Sequence, residues 1–403
     1  MELIEVNINS YKVLKDFKIN FLDVNGNPKK VVAIAGINGS GKTSLLEYIS
    51  KKLKDESFDR KGSVKVLTEF DSNKGEHRLL KSIKSIKIDS PLLKSISEKE
   101  YSGKDIVYFD SRDELQLVEK EKVDLFKDVL SDIGKFVIYL QTDRFKFKDI
   151  NNLLFHYVNE IVFGKNEKPE IAYEFVREII KDIFQDFDLR FEFGSVKTSY
   201  DSDNESFHVF FRNEFSDRIQ LNSLSTGEKE LITKVFYLEI LRPKEAIVLI
   251  DEPERSLHPK WQQKMVGVYE RLSEKYGCQF IIATHSPHII SSLKPENVYL
   301  LGFHEKENNR IDVVNLDQLN KNSLGLEPNR ILKEVMGVST LRFAQVENKI
   351  SQLMSLLNVD SYTDDQAKLL IEELDQILGG NDPFMIRVRH QIKVLDRKKL
   401  AKV

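Results

Sequence analysis

The chain has a single cysteine, Cys278, in 403 residues. That excludes an intramolecular disulfide framework and fits a reducing compartment. It has no apolar run near the roughly 18 residues that span a bilayer, so no membrane partner is expected. It has no charge excess: 61 Lys and Arg against 64 Asp and Glu leave a net charge of −3, and no global basic field demands nucleic acid. Internal repeats and low-complexity tracts are missing as well. The start, Met1-Glu2-Leu3-Ile4-Glu5, is acidic and alternating, unlike a signal peptide. A soluble, cytoplasmic protein is expected, with room for one large domain or two to three smaller ones.

What is there is concentrated in Gly36-Ile37-Asn38-Gly39-Ser40-Gly41-Lys42-Thr43, which fits G-x-x-x-x-G-K-S/T. The apolar run Val31–Ala35 before it reads as a buried strand, and Ser44–Ile49 after it as a helix. Strand, glycine loop and helix together predict a phosphate-binding P-loop. Glycines let consecutive backbone N–H groups turn toward one point, and the helix N-terminus adds partial positive charge there. Gly36, Asn38, Gly39, Ser40, Gly41 and Ser44 are the expected cradle. Lys42 would neutralise the β- and γ-phosphates of ATP, and the Thr43 hydroxyl would sit on Mg²⁺.

Three further segments carry chemistry. Ile247–Ile250 is an apolar strand ending in Asp251-Glu252, a Walker B pattern. Asp251 would hold Mg²⁺ and Glu252 would orient or deprotonate the attacking water. Leu224-Ser225-Thr226-Gly227-Glu228 precedes the long amphipathic run Lys229–Leu241. It reads either as an ordinary N-cap or as an ABC signature loop, which offers Ser225, Gly227 and a helix N-terminus to a γ-phosphate. The usual signature is LSGGQ, so Thr226 and Glu228 depart from it. Phe280–Ser286 is a buried strand ending in His285, placed where a switch histidine reaches the γ-phosphate. Gln141, after the strand Lys135–Leu140, is the expected Q-loop ligand to Mg²⁺ and water. Tyr11 is a positional candidate for stacking on adenine.

Along the rest of the chain, residues 1–50 predict a hairpin, a turn at Asn25–Pro28, and the P-loop strand and helix. Lys51 to about Lys104 is Lys-rich and uneven, with a short strand at Ile83–Ile88; Ile106–Phe109 reads as another strand. Asn152–Phe163 and Ile171–Phe187 have helical spacing. Arg190–Phe193 and Phe207–Phe211 alternate like paired strands. A helix is expected at Pro259–Tyr276, a hairpin after Leu301, and helices from about Glu327 to Lys399. Asp364-Asp365 falls in an expected capping box, Thr363-x-x-Gln366.

Together these residues resemble an ABC-type ATPase head of the family that includes SMC, recombination-repair and OLD-type ATPases. Asp251-Glu252-Pro253-Glu254-Arg255-Ser256-Leu257-His258-Pro259 matches D-E-P-E-x-x-L-H-P, and Ala283–Pro287 matches A-T-H-S-P. The motifs cover about residues 1–50 and 135–302. The resemblance implies an α/β P-loop NTPase fold: an ABC-type head with mixed sheet, a helical lobe insertion and a C-terminal helical tail. It places the head at 1–305, with an insertion at about 51–130 and a lobe at about 145–187. Residues 306–403 would bind a partner. It implies ATP and Mg²⁺ as cofactors. It also implies a homodimer or higher oligomer through an ATP sandwich, with Ser225 and Gly227 acting in trans and Ser256–His258 crossing the interface. Within the branch, Lys51–Leu221 lacks the sustained heptads of SMC arms, and the tail lacks the D-x-D of an OLD-type nuclease. The whole-chain layout resembles the PtuA family, ATPases of Septu anti-phage systems also found beside retrons. That resemblance implies an HNH nuclease partner (PtuB-like), with a retron reverse transcriptase and its DNA or RNA as further candidates. Two other readings stay open: a nucleotide-locked scaffold with little turnover, and a repair or OLD-type ATPase acting on DNA.

Overall fold

Glu2–Tyr11 forms β1 and Leu14–Asn20 forms β2, paired antiparallel with Tyr11 opposite Leu14 across the turn at Lys12. The computed structural model describes residues 2–54, 58–59, 61–71, 76–80, 106–109, 154–155, 157–159, 161–162, 168–189, 191–201, 204–236, 238–239, 246–303, 310–359 and 361–400. The strands expected at Ile83–Ile88 and Lys135–Leu140, and Gln141, lie outside them. After β2 the Asp23 carboxylate accepts from the N–H groups of Asn25 and Asn27, at 2.8 Å each, with Gly26 at φ 81. This Asx-type turn delivers the chain to β3, Val31–Gly36, which is buried throughout. Helix α1, Lys42–Lys54, follows the glycine loop.

The Lys-rich stretch after α1 supplies β4, Ser63–Asp71, and β5, Glu76–Leu80. With β1 and β2 they make a four-stranded antiparallel sheet in the order β2-β1-β4-β5. Ile106–Phe109 is β6. Helix α2, Pro169–Ile183, starts on a proline and buries Ala172, Val176, Ile179, Ile180 and Ile183 at helical spacing. Strands β7, Glu192–Asp201, and β8, Asn204–Arg212, pair as their alternation predicts, Phe193 opposite Phe211. Ile219–Gln220, β9, completes a three-stranded sheet. Helix α3, Thr226–Leu231, is short: the amphipathic run expected to Leu241 passes into a π-helical turn at Ile232–Phe236.

The remaining elements of the first unit are β10 (Ile247–Asp251), α4 (Pro259–Tyr276), β11 (Gln279–Thr284), α5 (Pro287–Ile290), β12 (Val298–Phe303) and β13 (Ile311–Asn315). Helix α4 has the bounds its signals predict, with Pro259 at its first position and Gly277 left-handed (φ 67) at its end. The central sheet runs β13-β12-β3-β11-β10-β6. It is parallel from β12 to β6, and β13 is antiparallel at the edge, the expected hairpin. Strands β3, β11 and β10 are buried at every residue, so they read as continuous apolar runs. Helix α1 is sandwiched: Leu45, Leu46, Tyr48 and Ile49 share one core with Val32, Leu249 and Ile281 of the central sheet and Val6, Ile8 and Phe17 of the antiparallel sheet. The fold is α/β with a mixed sheet.

One polar residue ties the two sheets together. Gln279 is wholly buried, accepts from Leu3 N–H at 2.6 Å, and donates to Leu3 C=O at 3.2 Å and to Lys29 C=O at 2.8 Å. Beside it, Cys278 is wholly buried, and burial pushes its thiol up to about 12.

The chain divides into two compact units, Met1–Ile331 and Leu332–Val403. The division falls later than the expected 305, because β13 completes the central sheet. The second unit holds α6 (Ala344–Asn358), α7 (Asp365–Leu378) and α8 (Pro383–Leu400) around Leu353, Leu357, Leu370, Leu374, Met385 and Val388. Arg342 grips Asp382 with both contacts at 3.0 Å, while Asp382 also accepts from Phe384 N–H at the start of α8. The capping box expected at Thr363 does not form: Asp364 is the N-cap of α7 and makes no side-chain cap. The helix start lies one residue later than the box needs.

Gln279→Leu should lower stability by about 2–4 kcal/mol, since it leaves buried backbone groups of Leu3 and Lys29 unpaired at roughly 1–3 kcal/mol each. A urea titration followed by tryptophan fluorescence reads this out. An unchanged midpoint would show that the Gln279 bonds do not hold the sheets.

Candidate functional site

The alignment of three parallel strands builds the site. Ile34 of β3 lies level with Ala283 of β11, which lies level with Asp251 of β10. The P-loop, His285 and Asp251-Glu252 therefore leave the sheet along one edge, the carboxyl ends where open α/β sheets bind ligands. In the loop, Gly39 (φ 81) and Gly41 (φ 92) are left-handed, a backbone region that side chains disfavour. Gly41 is also tight: a Cβ there would lie 2.8 Å from Leu14 Cδ2. Ile37, Asn38 and Gly39 are exposed, and Ser40 is buried with a hydroxyl that has no hydrogen-bond partner among the described residues. Ser44 is half-buried in the first turn of α1.

Lys42 is buried and donates to Gly36 C=O at 2.9 Å and Ile37 C=O at 3.2 Å. Burial pushes its ammonium below the usual lysine range, and Asp251, Glu252 and Glu254 oppose that. Thr43 Oγ1 donates to Asp251 Oδ2 at 2.7 Å. Asp251 is 1% exposed. Glu252 has a left-handed backbone (φ 49), and its N–H donates to Ala283 C=O at 2.8 Å. For a side chain larger than glycine this conformation costs on the order of 1–3 kcal/mol, and such strain gathers at functional sites. Glu252 Oε1 lies 3.3 Å from His285 Nδ1. Glu254 is buried and accepts from both Thr284 Oγ1, at 2.7 Å, and His285 N–H, at 2.9 Å.

The edge thus brings together Lys42, Thr43, Asp251, Glu252 and His285. A hydroxyl and a carboxylate oxygen in contact beside a phosphate-type loop suit Mg²⁺, which takes one or two protein ligands and keeps its remaining places for phosphate and water. No cluster of three or more His, Cys, Asp or Glu side chains suited to a metal ion occurs among the described residues.

The other expected site residues make contacts of their own or fall outside the described residues. Ser225 caps α3 in a full capping box: its hydroxyl donates to Glu228 Oε2 at 2.7 Å and accepts from Glu228 N–H at 3.3 Å. Gly227 backs onto the loop after β10, where a Cβ would meet Ser256 C=O at 2.9 Å and the Trp261 ring at 3.4 Å. Ser256 is itself left-handed (φ 64). Gln141 lies outside the described residues. Tyr11 packs against Tyr48 and Phe58 and donates to Glu47 Oε2 at 3.0 Å, so its ring is committed to α1. Sequence reasoning passed over Glu254, Thr284, Ser286 and Gln262, although Glu254 stands inside D-E-P-E and Thr284 inside A-T-H-S-P.

Residues 31–291 match the family described as "AAA domain, putative AbiEii toxin, Type IV TA system". The chain is similar to the "Septu protein PtuA" of Bacillus thuringiensis, 25% identical over 418 residues, covering 96% of this chain and 99% of that protein. It is also similar to the "Retron Ec83 probable ATPase" of Escherichia coli, 26% identical over 185 residues, covering 42% of this chain and 31% of that protein. Among solved structures, the SMC head domain from Thermotoga maritima is 17% identical, covers 78% of this chain and 99% of that one, and has a TM-score of 0.39, too low a likeness to bear on function. No helix among the described residues is long and apolar enough to cross a membrane.

Lys42→Ala should weaken ATP binding about 10- to 100-fold. It removes the loop's buried cation, and hydrogen bonds to charged groups contribute about 1.5–3 kcal/mol. Calorimetry of the variant settles it: unchanged affinity would remove Lys42 from the phosphate site.

Proposed function

The chain belongs to this AAA-domain family of P-loop ATPases, and from that premise we propose that it is the ATPase of an anti-phage defence complex of the Septu or retron type. The observation that carries the reading is the meeting of Thr43 and Asp251 at 2.7 Å beside Lys42, on strand ends that also deliver Glu252 and His285. The likeness to PtuA extends over nearly the full length of both chains, so it takes in the helical unit as well as the ATPase core.

The P-loop N–H groups and Lys42 hold the ATP phosphates, Lys42 giving up its contacts with Gly36 and Ile37 as they enter. Thr43 and Asp251 would hold Mg²⁺, which when bound neutralises charge on the phosphates. Glu252 orients the attacking water and takes its proton. His285, whose Nδ1 lies 3.3 Å from Glu252 Oε1, donates to the γ-phosphate in this reading. Ser225 and Gly227 of a second copy complete the site in trans, so that nucleotide joins two heads. The output passes to a partner HNH nuclease held by the helical unit. That unit exposes Phe343, Val359, Leu369, Ile377 and Ile386, apolar side chains of the kind that helix-bearing interfaces use.

A second reading, a nucleotide-locked scaffold with little turnover, has one observation in its favour. The Ser225 hydroxyl is already engaged by the Glu228 carboxylate, so presenting it to a phosphate means breaking that contact. Multiple-turnover phosphate release, with and without partner, separates the two.

Glu252→Gln should retain ATP binding and reduce turnover by about 100-fold or more, because the amide keeps the shape but takes no proton. The ATP-bound dimer should then accumulate on size-exclusion chromatography. Turnover near the native rate would assign the base elsewhere. Deleting residues from Ser339 onward should leave ATP affinity within about twofold, since the site lies wholly in the first unit, and should abolish co-purification of the nuclease. Normal co-purification would move the partner surface to the head.

A further inference from the structure

Glu254 is a buried carboxylate that the mechanism above does not use. It sits two residues after the left-handed Glu252, on the loop between β10 and α4, and is 6% exposed. One of its oxygens, Oε1, receives both the Thr284 hydroxyl at 2.7 Å and the His285 backbone N–H at 2.9 Å. The other, Oε2, is buried without a hydrogen-bond partner among the described residues. The His285 ring lies beside it, with Nδ1 3.8 Å from Oε1 and 3.3 Å from Glu252 Oε1, and the carboxylate also acts through space on the Lys42 ammonium. Burying a carboxylate on neutral donors is costly, and a neutral acceptor would satisfy Thr284 at less expense of solvation.

The bonds around it converge on the residue between them. Thr284 Oγ1, held by Glu254, accepts from Ser286 N–H at 2.9 Å. Ser286 Oγ donates to Gln262 Oε1 at 2.6 Å, and Gln262 Nε2 donates to Leu257 C=O at 2.9 Å. The backbone is therefore fixed immediately before, at and after His285, and the fixing group belongs to the same loop as Glu252. Two strand ends, β10 and β11, are cross-linked by a single oxygen atom at the point where their two functional side chains face each other.

We propose that Glu254 is the positioning residue for His285: it sets the ring beside Glu252 and acts on the reaction only through that histidine. This rests on the reading of Glu252 and His285 given above. Acceptor geometry is what Glu254 supplies. Gln retains an oxygen at the same reach, whereas Asp keeps the charge but falls a methylene short.

The test is a steady-state ATPase comparison of full-length Glu254→Ala, Glu254→Gln, Glu254→Asp, His285→Ala and the Glu254→Ala/His285→Ala double variant. His285→Ala should lower kcat by about tenfold or more. Glu254→Ala and Glu254→Asp should lower kcat to a similar level with KM within about twofold, and Glu254→Gln should stay within about threefold of the parent. The double variant should be no slower than His285→Ala alone, since residues acting as a unit are not additive. Losses that multiply in the double variant, a change confined to KM, or an equal loss in Glu254→Gln would overturn the positioning role while leaving His285 in place. A His285→Ala variant with native kcat would overturn the site reading itself. If Glu254→Ala does not fold, the contrast between the Gln and Asp variants decides alone: a Gln variant slower than Asp overturns the proposal.

Discussion

Backbone hydrogen bonds between β3, β11 and β10 hold three wholly buried strands in parallel register, and the grouping of Thr43, Asp251, Glu252 and His285 at the candidate site follows from them. Parallel strands need a crossover between each pair, so a lysine at 42, an acid at 251 and a histidine at 285 can share one edge although they are far apart in sequence. The apolar side chains that fill both faces of the sheet cannot slide by one residue without exposing buried groups to the wrong layer. Register is thus set by the core, and the 2.7 Å contact of Thr43 with Asp251 is its result. The antiparallel sheet on the other side of α1 closes the core and, through Gln279, fastens β1 to the start of β11 in the central sheet.

The left-handed residues show where local preference gives way. Glu252 and Ser256 turn the chain sharply after β10, within five residues, and Gly227 packs against the second of these turns. Any change at Ser256 is felt on one side by the Glu252 turn and on the other by the helix that Ser225 caps. The loop after β10 and the helix capped by Ser225 are thus packed together within one chain.

Much of this was legible in the sequence where the signal was local. Continuous apolar runs marked β3, β10 and β11, proline and glycine bounded α4, and the phenylalanines of β7 and β8 alternated visibly. What was not legible depended on partners distant in sequence. The Lys-rich segment after α1 alternates poorly, because β4 draws its stability from pairing with β1, and β5 from pairing with β4, rather than from a strong pattern of their own. The hairpin of β12 and β13 is legible as a pair, but no local pattern marks β13 as the edge of the central sheet, so the expected head boundary falls before it. The run after Ser225 is amphipathic beyond Leu231, yet it follows a π-helical turn, which the same spacing of apolar residues does not distinguish. Thr363 and Gln366 had the right spacing for a capping box, but the helix begins one residue too late for them to meet. At the candidate site, the residues expected to bear phosphate chemistry carried motifs. Glu254 did not stand out, because its partners, Thr284 and the His285 backbone, lie 30 residues on.

Cys278 has a consequence of a different kind. The chain's single thiol is wholly buried, and burial pushes it well above neutral pH, so it stays protonated and shielded from thiol-directed reagents. The natural sequence is therefore already a blank background for site-specific labelling. One cysteine introduced on an exposed loop, such as at Phe215 in the turn between β8 and β9, would be the one reactive position in the molecule. Paired fluorophores or cross-linkers could then report whether two copies of the chain approach one another, without first removing a native cysteine.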